Sequence, residues 1–180
     1  MPVVTGDILY KYSVAAAAGN TTAGTAAGSL GDQISTTQIP DATLNALFDD
    51  VTGDENAASE AEYRCIFVHN AHATLTLQAA VVWLSAEVAG GASIAIAIDD
   101  IAASAIGAST AQADSVADEN TAPGTGVGSF SSPTTKGAGL ALGNLGPGQC
   151  RAVWVRRTAA NSSALNNDGV TLRVEGDTAA

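Results

Sequence analysis

The fold is decided by a Pro-Gly turn and the strand that follows it, which read Gly146-Pro147-Gly148-Gln149-Cys150-Arg151-Ala152-Val153-Trp154-Val155-Arg156-Arg157-Thr158. Pro147 fixes its own φ, and Gly148 can adopt a positive φ. This combination is typical of a type II turn. The turn therefore marks the point where one strand ends and the next begins.

The strand after this turn is apolar on both of its faces. Strand side chains alternate, which gives one set of Cys150, Ala152 and Trp154 and a second set of Arg151, Val153 and Val155. Because both sets are largely apolar, we predict an interior strand that is covered on most of both faces. Arg156 and Arg157 are expected to end it at a solvated rim.

Other short runs with strand character are separated by turns rich in Gly, Pro, Asn and Asp. They lie at residues 8–14, 62–70, 74–84, 93–99, 127–131, 139–142 and 170–174. Regular strands with little helix indicate a sandwich or a barrel. We predict an all-β protein, an antiparallel β-sandwich of jelly-roll or immunoglobulin-like type. Loop length further predicts that 62–70 and 74–84 form a hairpin.

The N-terminal region differs in composition from the rest. Residues 15–28 are rich in Ala, Gly and Thr and offer almost no large apolar side chain. Such a segment gains little burial to offset its ordering entropy. We therefore predict an extended arm at residues 1–30, followed by a sandwich domain at 31–180. Ordering of the arm on a neighbouring subunit would use the assembly contacts Ile8, Leu9, Tyr10 and Tyr12.

The chain is acidic, with 18 Asp and Glu against 7 Lys and Arg and a formal net charge of −11. Binding to nucleic acid requires clustered basic side chains, so this balance argues against nucleic acid and against anionic membranes. Residues 41–62 carry seven acids and no base before Arg64, whereas most arginines lie late in the chain. Acidic and basic faces are expected to meet within the fold or between subunits, with Arg156 and Arg157 as assembly contacts.

The core must rest on few large side chains, because aromatic residues make up only 4% of the chain. We expect Trp83, Trp154, Phe67 and Cys65 to be buried. Cys65 and Cys150 belong to no metal-binding pattern and are expected to be buried free thiols, and a disulfide is the alternative if their two strands face each other. Within residues 41–56, Asp41 is predicted to cap a short helical turn.

No catalytic motif is present, and several candidate sites have simpler interpretations. His69 and His72 flank a predicted turn but have no third ligand nearby, which favours a plain polar turn over a metal site. The acids at residues 49–55 lack the ligand spacing of a calcium loop. There is no nucleophile elbow or phosphate loop, and the number of carboxylates is no evidence for a glycosidase pair. The sequence predicts a non-enzymatic protein without a cofactor or metal.

The N-terminus has no basic region followed by an apolar run, and no stretch approaches the roughly 20 apolar residues of a membrane span. We therefore expect a protein that is made and assembled in a cytoplasm.

Five segments taken together resemble virion structural proteins of tailed phages. They are LFDDVT at 47–52, EYRC at 62–65, PGQ at 147–149, AVWVRRT at 152–158 and NNDGV at 166–170. The resemblance covers residues from about 29 to 180 and brings no catalytic residue with it. It implies a particle component, and a compact acidic sandwich suits a head decoration, or cement, protein.

The expected partners follow from this resemblance. A decoration protein binds the major capsid protein on the outside of the shell and self-associates, with a trimer as one arrangement. The main alternative is a component of the tail, baseplate or fibre that binds host glycan. Aromatic platforms for sugar are scarce in this sequence, which weighs against that alternative.

Overall fold

The fold was analysed in a computed structural model that describes residues 2–15, 21–163, 165 and 167–178. Short 3-10 turns lie at Thr5–Asp7 and Lys136–Ala138, and one helix, α1, spans Gly53–Ala58. The strands are β1 (Ile8–Val14), β2 (Gln33–Gln38), β3 (Ala61–Asn70), β4 (Leu77–Glu87), β5 (Ser93–Ile98), β6 (Ser104–Ala105), β7 (Leu140–Leu145), β8 (Gln149–Thr158) and β9 (Val170–Thr178).

These strands form two antiparallel sheets that pack face to face. The larger sheet has the order β2-β1-β3-β8-β5, with β6 also paired to β8, and the smaller has the order β7-β4-β9. The core between them holds residues of both sheets: Ile66, Val68, Leu77, Ala80, Val82, Leu84, Ile94, Ile96, Leu142, Leu145, Val153 and Val155. The prediction of an all-β antiparallel sandwich is confirmed.

Strand β8 is covered on both faces, as its two apolar sets predicted. Val153 and Val155 face the core between the sheets. Trp154, Ala152 and Cys150 face a second apolar layer outside the large sheet. Side chains from the long segment between β5 and β7, such as Val116 and Phe130, complete that layer. Trp83, Trp154, Phe67 and Cys65 are all buried, as expected.

One buried carboxylate fastens this long segment to β8. Asp99 is completely buried and accepts hydrogen bonds from Trp154 Nε1 at 3.0 Å and from the backbone amides of Ile101 and Asp114 at 3.0 and 2.8 Å. The Arg151 guanidinium donates to its backbone carbonyl at 3.2 Å. Two points of the long segment, at Ile101 and Asp114, are thereby held against β8.

The expected hairpin of residues 62–70 and 74–84 is wrong. β3 pairs with β1 and β8, whereas β4 pairs with β7 and β9 in the other sheet. The chain crosses between sheets because Asn70, completely buried, binds the carbonyls of Leu75, Leu145 and Gly146 with its side-chain amide. Those bonds hold residues 71–76 as a crossing segment.

A bulge in β4 changes which side chains face inward. The strict alternation of the sequence places Leu77, Ala79, Val81 and Trp83 in one set. In the structure the register shifts between Gln78 and Val81, and Ala79 has a positive φ of 47°. The inward set becomes Leu77, Ala80, Val82 and Leu84. Trp83 lies on the outer face, with the Arg173 guanidinium 5.9 Å from its ring centroid.

Part of the predicted arm belongs to the sheet. β1 (Ile8–Val14) lies between β2 and β3 and pairs with both of them. Residues 21–30 follow the edges of the same sheet, since Thr36 N donates to Thr22 O and Cys65 N donates to Ser29 O. The arm prediction is therefore corrected for these residues, because the sheet itself supplies their backbone partners. Residue 1 and residues 16–20 of the arm lie outside the described residues.

The helix also differs in position from the one expected at Asp41. The residues from Asp41 to Phe48 form turns, and the helix α1 begins after Thr52. Thr52 Oγ1 accepts from Glu55 N at 3.3 Å, and the Glu55 carboxylate accepts from Thr52 N at 2.7 Å. This reciprocal pair is a capping box, and its T-x-x-E signature was present in the sequence.

The two cysteines are buried free thiols, as expected. Cys65 lies opposite Trp154 in the β3–β8 ladder, whereas Cys150 lies opposite His69. The four-residue offset along β8 corresponds to roughly 13 Å. A disulfide requires a Cα separation of about 4.4–6.8 Å, so the two thiols cannot pair.

We expect Trp154→Ala to lower the free energy of unfolding by about 3–5 kcal/mol, because it empties a completely buried site and removes the donor to Asp99. Urea denaturation followed by circular dichroism measures the change. The exposed Leu44→Ala is the control and should stay within about 0.5 kcal/mol of the wild type. A near-neutral result for Trp154→Ala would contradict the role given to this side chain.

Candidate functional site: an acidic surface over internal arginines

The basic side chains are distributed unevenly between interior and surface. Arg64 and Arg157 are buried, and Lys11, Arg151 and Arg156 are half-buried. The solvated rim expected at the end of β8 is therefore wrong for Arg157, because its guanidinium pairs with Glu62 inside the fold. Only Lys136 and Arg173 are exposed. Of the 18 acids, two are buried, seven are half-buried and nine are exposed, the exposed ones being Asp41, Asp49, Asp50, Asp54, Glu87, Asp100, Asp118, Asp168 and Asp177. The net charge of −11 is therefore concentrated on the outside of the fold.

Arg157 is the centre of an internal ion-pair cluster at one end of the sandwich. It lies directly opposite Glu62 in the β3–β8 ladder, and its Nε donates to Glu62 Oε2 at 2.6 Å. The same guanidinium donates to the backbone carbonyl of Asp49, and Arg157 Nη2 lies 3.3 Å from Asp49 Oδ1. These bonds attach the acidic segment, residues 41–60, to the large sheet.

Phe48 is held between two guanidinium groups in this cluster. The Cζ atoms of Arg157 and Arg64 lie 4.9 and 5.6 Å from the centroid of its ring. Arg64 also forms an ion pair with Glu119, a residue of the long segment. Because cation–π attraction strengthens when water is excluded, Phe48 helps to hold both arginines inside the fold.

Burial sets the protonation behaviour of Glu62. Desolvation raises the pKa of this carboxyl above its ordinary value, while the hydrogen bond and the charge of Arg157 act in the opposite direction. Breaking the pair would leave a charge uncompensated in the interior, which is costly. The cluster is thus a structural support for the acidic segment.

Although Asp49 pairs with Arg157, the acidic segment still presents unpaired carboxylates to solvent. Glu55 caps α1, and Glu60 binds the side-chain amide of Asn120. Asp50 and Asp54 are exposed and have no side-chain hydrogen bond or ion pair within the described part of the chain. They lie on a segment whose backbone is fixed by Arg157, so their positions are defined by the fold.

The six expected assembly contacts lie in or against the chain's own sheet. Ile8 and Tyr10 pack on the core between the sheets, and the Tyr10 hydroxyl donates to Leu172 O at 3.4 Å. Tyr12 is buried and binds Ala46 O, and Leu9 is half-buried opposite His69. Arg157 belongs to the ion-pair cluster, and Arg156 lies 5.3 Å from the ring centroid of Phe130. Each of these residues thus makes contacts within the chain's own fold, and their role in assembly stays a prediction.

The two histidines play different roles. His72 forms a polar turn, as favoured by the sequence, since its Nδ1 accepts from the amides of Thr74 and Leu75 at 3.1 and 3.0 Å. His69 is buried in β3, opposite Cys150 of β8, and neither ring nitrogen has a hydrogen-bond partner. Burial and the charge of Lys11 lower the pKa of His69 from 6.5 to about 4, which keeps the ring neutral near pH 7.

The described residues contain no group of three or more His, Cys, Asp and Glu side chains that could hold a metal ion. No helix in the described ranges is long and apolar enough to cross a membrane.

Comparison with known proteins finds no matching family model, no matching curated protein and no matching solved structure.

We expect Arg157→Ala to cost about 3–5 kcal/mol of unfolding free energy, because it leaves Glu62 buried without its partner. The matched control is Arg173→Ala, whose exposed pair with Glu175 should contribute less than about 1 kcal/mol. Both are measured by urea denaturation. Equal effects of the two substitutions would contradict the support assigned to the buried pair.

We expect His69 to reduce stability as the pH falls. Its folded pKa of about 4 lies below the usual 6.5, so the stability present above pH 6.5 is lost progressively toward pH 4. His69→Leu removes this titration together with two unpaired buried nitrogens. The difference in unfolding free energy between pH 7 and pH 4.5 should be smaller in this variant than in the wild type.

The control for this experiment is Leu44→Ala, which changes an exposed apolar side chain and removes no titratable group. It should show the same pH dependence as the wild type. An unchanged pH dependence in His69→Leu would show that this ring does not titrate as described.

Proposed function

We propose that this chain is a non-enzymatic structural protein of a tailed-phage virion. It binds the outside of the capsid shell and stabilises it as a decoration protein. Its partner is the major capsid protein, and copies of the chain associate with one another. It uses no cofactor and binds neither nucleic acid nor membrane. The resemblance of residues 47–52, 62–65 and 152–158 to virion structural proteins provides the starting point.

The distribution of charge is the observation that carries this proposal. Five of the seven basic residues are buried or half-buried, so the outer surface is dominated by carboxylates. A surface of one sign attracts a partner of the opposite sign and steers its approach. The same surface repels DNA and anionic lipid. An acidic module of this kind suits docking on basic patches of a protein shell.

The rigidity of the acidic segment supports the same proposal. Its backbone is attached to the sheet through Arg157, and Phe48 is held between Arg157 and Arg64. A surface that is ordered before binding loses less conformational entropy when the partner docks. Repetition over a symmetric shell would then add many modest contacts together.

The rival assignment is a tail, baseplate or fibre component that binds host glycan. A shallow depression lies in the turn formed by residues 87–93. Its lining side chains are Glu87, Val88, two alanines and Ser93, which offer no aromatic face for a sugar ring. The two assignments differ in copy number, because a shell decoration is present in many copies and a tail component in few.

The test is carried out on particles of the phage that carries this chain. Quantitative mass spectrometry should find it in many copies per head, and heads lacking it should release DNA at lower temperature. Rebinding of purified protein to such heads should weaken as salt rises, because the contact is electrostatic. A few copies per particle, located on the tail, would overturn the decoration assignment.

We expect the double substitution Asp50→Asn/Asp54→Asn to weaken rebinding to undecorated heads by about tenfold, because it removes two free carboxylates of the acidic segment. Co-sedimentation at low salt measures the affinity. The matched control Asp100→Asn/Asp118→Asn changes the net charge equally and keeps the oxygen of Asp118 that accepts from Asn120 and Thr121. Equal losses in both variants would show that general charge acts, and not this segment.

A further inference from the structure

Strand β9 forms one edge of the smaller sheet. It pairs with β4 on one side, and on the other side it forms no backbone ladder with any part of the chain that the structure describes. Leu172 lies opposite Leu84 of β4, whose amide donates to Pro133 O instead, so this is a non-hydrogen-bonded pair and the backbone groups of Leu172 point away from β4. Because strand backbone groups alternate in direction, those of Val174 and Gly176 also point to the open side.

Both edges of the large sheet, β2 and β5, are covered by the chain itself. On β2, Thr36 N donates to Thr22 O, and Ile34 N donates to the side chain of Gln112. On β5, Ile96 exchanges backbone hydrogen bonds with Ser131, and Gly128 N donates to Ile98 O. The nine residues of β9 therefore offer a long row of backbone donors and acceptors. Such an edge is a template for another strand.

The charges around β9 differ from those of the rest of the surface. Both exposed basic side chains of the chain, Lys136 and Arg173, lie here, and each forms an ion pair with Glu175, at 3.3 and 3.0 Å. Elsewhere the surface is acidic, so two copies repel each other over most orientations. At β9 the local charge is nearly balanced, which permits two copies to approach.

The sequence of β9 is also complementary to itself in the antiparallel direction. If two copies pair about an axis through Val174, each Arg173 lies opposite Glu175 of the other copy. In the same register, Leu172 lies opposite Gly176, and Thr171 lies opposite Asp177. A parallel in-register pairing would instead bring Arg173 beside Arg173. Like charges directly opposite are destabilising, whereas opposite charges contribute favourably.

We propose that β9 is a self-association surface, at which the open edges of two copies pair antiparallel about an axis at Val174 to form one continuous six-stranded sheet. This inference rests on the edge, the register and the charges, and it does not depend on the proposed function in a virion.

The bonding pattern of this pair is consistent with the observed strand. Val174 would pair with Val174, and Leu172 with Gly176, through the backbone groups that point outward. A carbonyl oxygen has two lone pairs, so Leu172 O can keep the Tyr10 hydroxyl while it accepts from the partner. Arg173 and Glu175 then occupy non-hydrogen-bonded positions, where Cα atoms are closest and side chains meet. The guanidinium has five donors and can bind Glu175 of both copies.

The first experiment measures oligomeric state with purified full-length chain. Sedimentation equilibrium at low salt should show a monomer–dimer equilibrium. Arg173→Glu and Glu175→Arg should each raise the dimer dissociation constant by about tenfold, because like charges then face each other twice. The double variant Arg173→Glu/Glu175→Arg restores opposite charges and should return to within about threefold of the wild type.

The control substitution Asp100→Arg changes the net charge as Glu175→Arg does, but it lies just after β5, a strand of the other sheet. It should leave dimerisation equal to or stronger than that of the wild type. Circular dichroism confirms that each variant is folded. A monomer at every concentration would overturn the proposal, as would a dimer that the single reversals leave unchanged.

A second experiment tests the register. Thr171 and Asp177 face each other across the proposed axis at non-hydrogen-bonded positions, where the Cα separation of about 4.5 Å lies in the range for a disulfide. Chains with Thr171→Cys and chains with Asp177→Cys should form a mixed cross-linked dimer under mild oxidation. Pairing of Glu87→Cys with Asp177→Cys is the control and should remain uncross-linked. Cross-linking at equal rates in both mixtures would overturn the register.

Discussion

The hydrogen bond from Trp154 Nε1 to the Asp99 carboxylate is the interaction on which the outer layer of the protein depends. Burial raises the pKa of Asp99, because a charge in the interior loses its water. Donors from Trp154, Ile101 and Asp114 replace that water, and they come from the central strand and from two separate points of the long segment. One carboxylate therefore positions a segment that has few large side chains of its own. Without it, the second face of β8 would lack a fixed cover.

The same logic of compensated charge explains why the surface is acidic. β3 and β8 carry arginines at their outer ends, and the fold keeps Arg64 and Arg157 inside by pairing them with Glu119, Glu62 and Asp49. Each pair uses a carboxylate as well, but the chain has many more acids than bases. The surplus has no internal partner and lies in water, where an ionised carboxylate is most stable. The exterior is thus acidic because most of the basic side chains are buried or half-buried in the fold.

Local patterns predicted most of the strands, but the strand expected at residues 127–131 is wrong, since only isolated bridges form there, at Val127 and Ser131. Non-local contacts decided what the local patterns could not. The alternation of Cys150 to Val155 indicated a strand covered on both faces, because that information lies within a few adjacent residues. The partners of β1 are more than 50 residues away in β3, and no local signal identifies them. The bulge at Ala79 depends on Gly176 as well, because a Cβ there would lie 2.6 Å from Gln78 O. The opposition of Glu62 and Arg157 follows only once the β3–β8 register is known. The α1 capping box is different, since Thr52 and Glu55 already carried its signal.

Edges and charges together restrict how this fold can meet other molecules. Other segments of the chain cover the edge strands β2 and β5 of the large sheet. In the smaller sheet, the Arg151 guanidinium donates to Leu142 O of β7. Strand β9 keeps its outward backbone groups, and the nearby Lys136 and Arg173 offset the acids around it. Acidic surfaces repel one another, which disfavours contact between copies elsewhere. The same acidic surfaces attract a basic partner. The two surfaces therefore call for different partners: the balanced edge of β9 suits a second copy of the chain, and the acidic segment over Arg157 suits a protein of opposite charge.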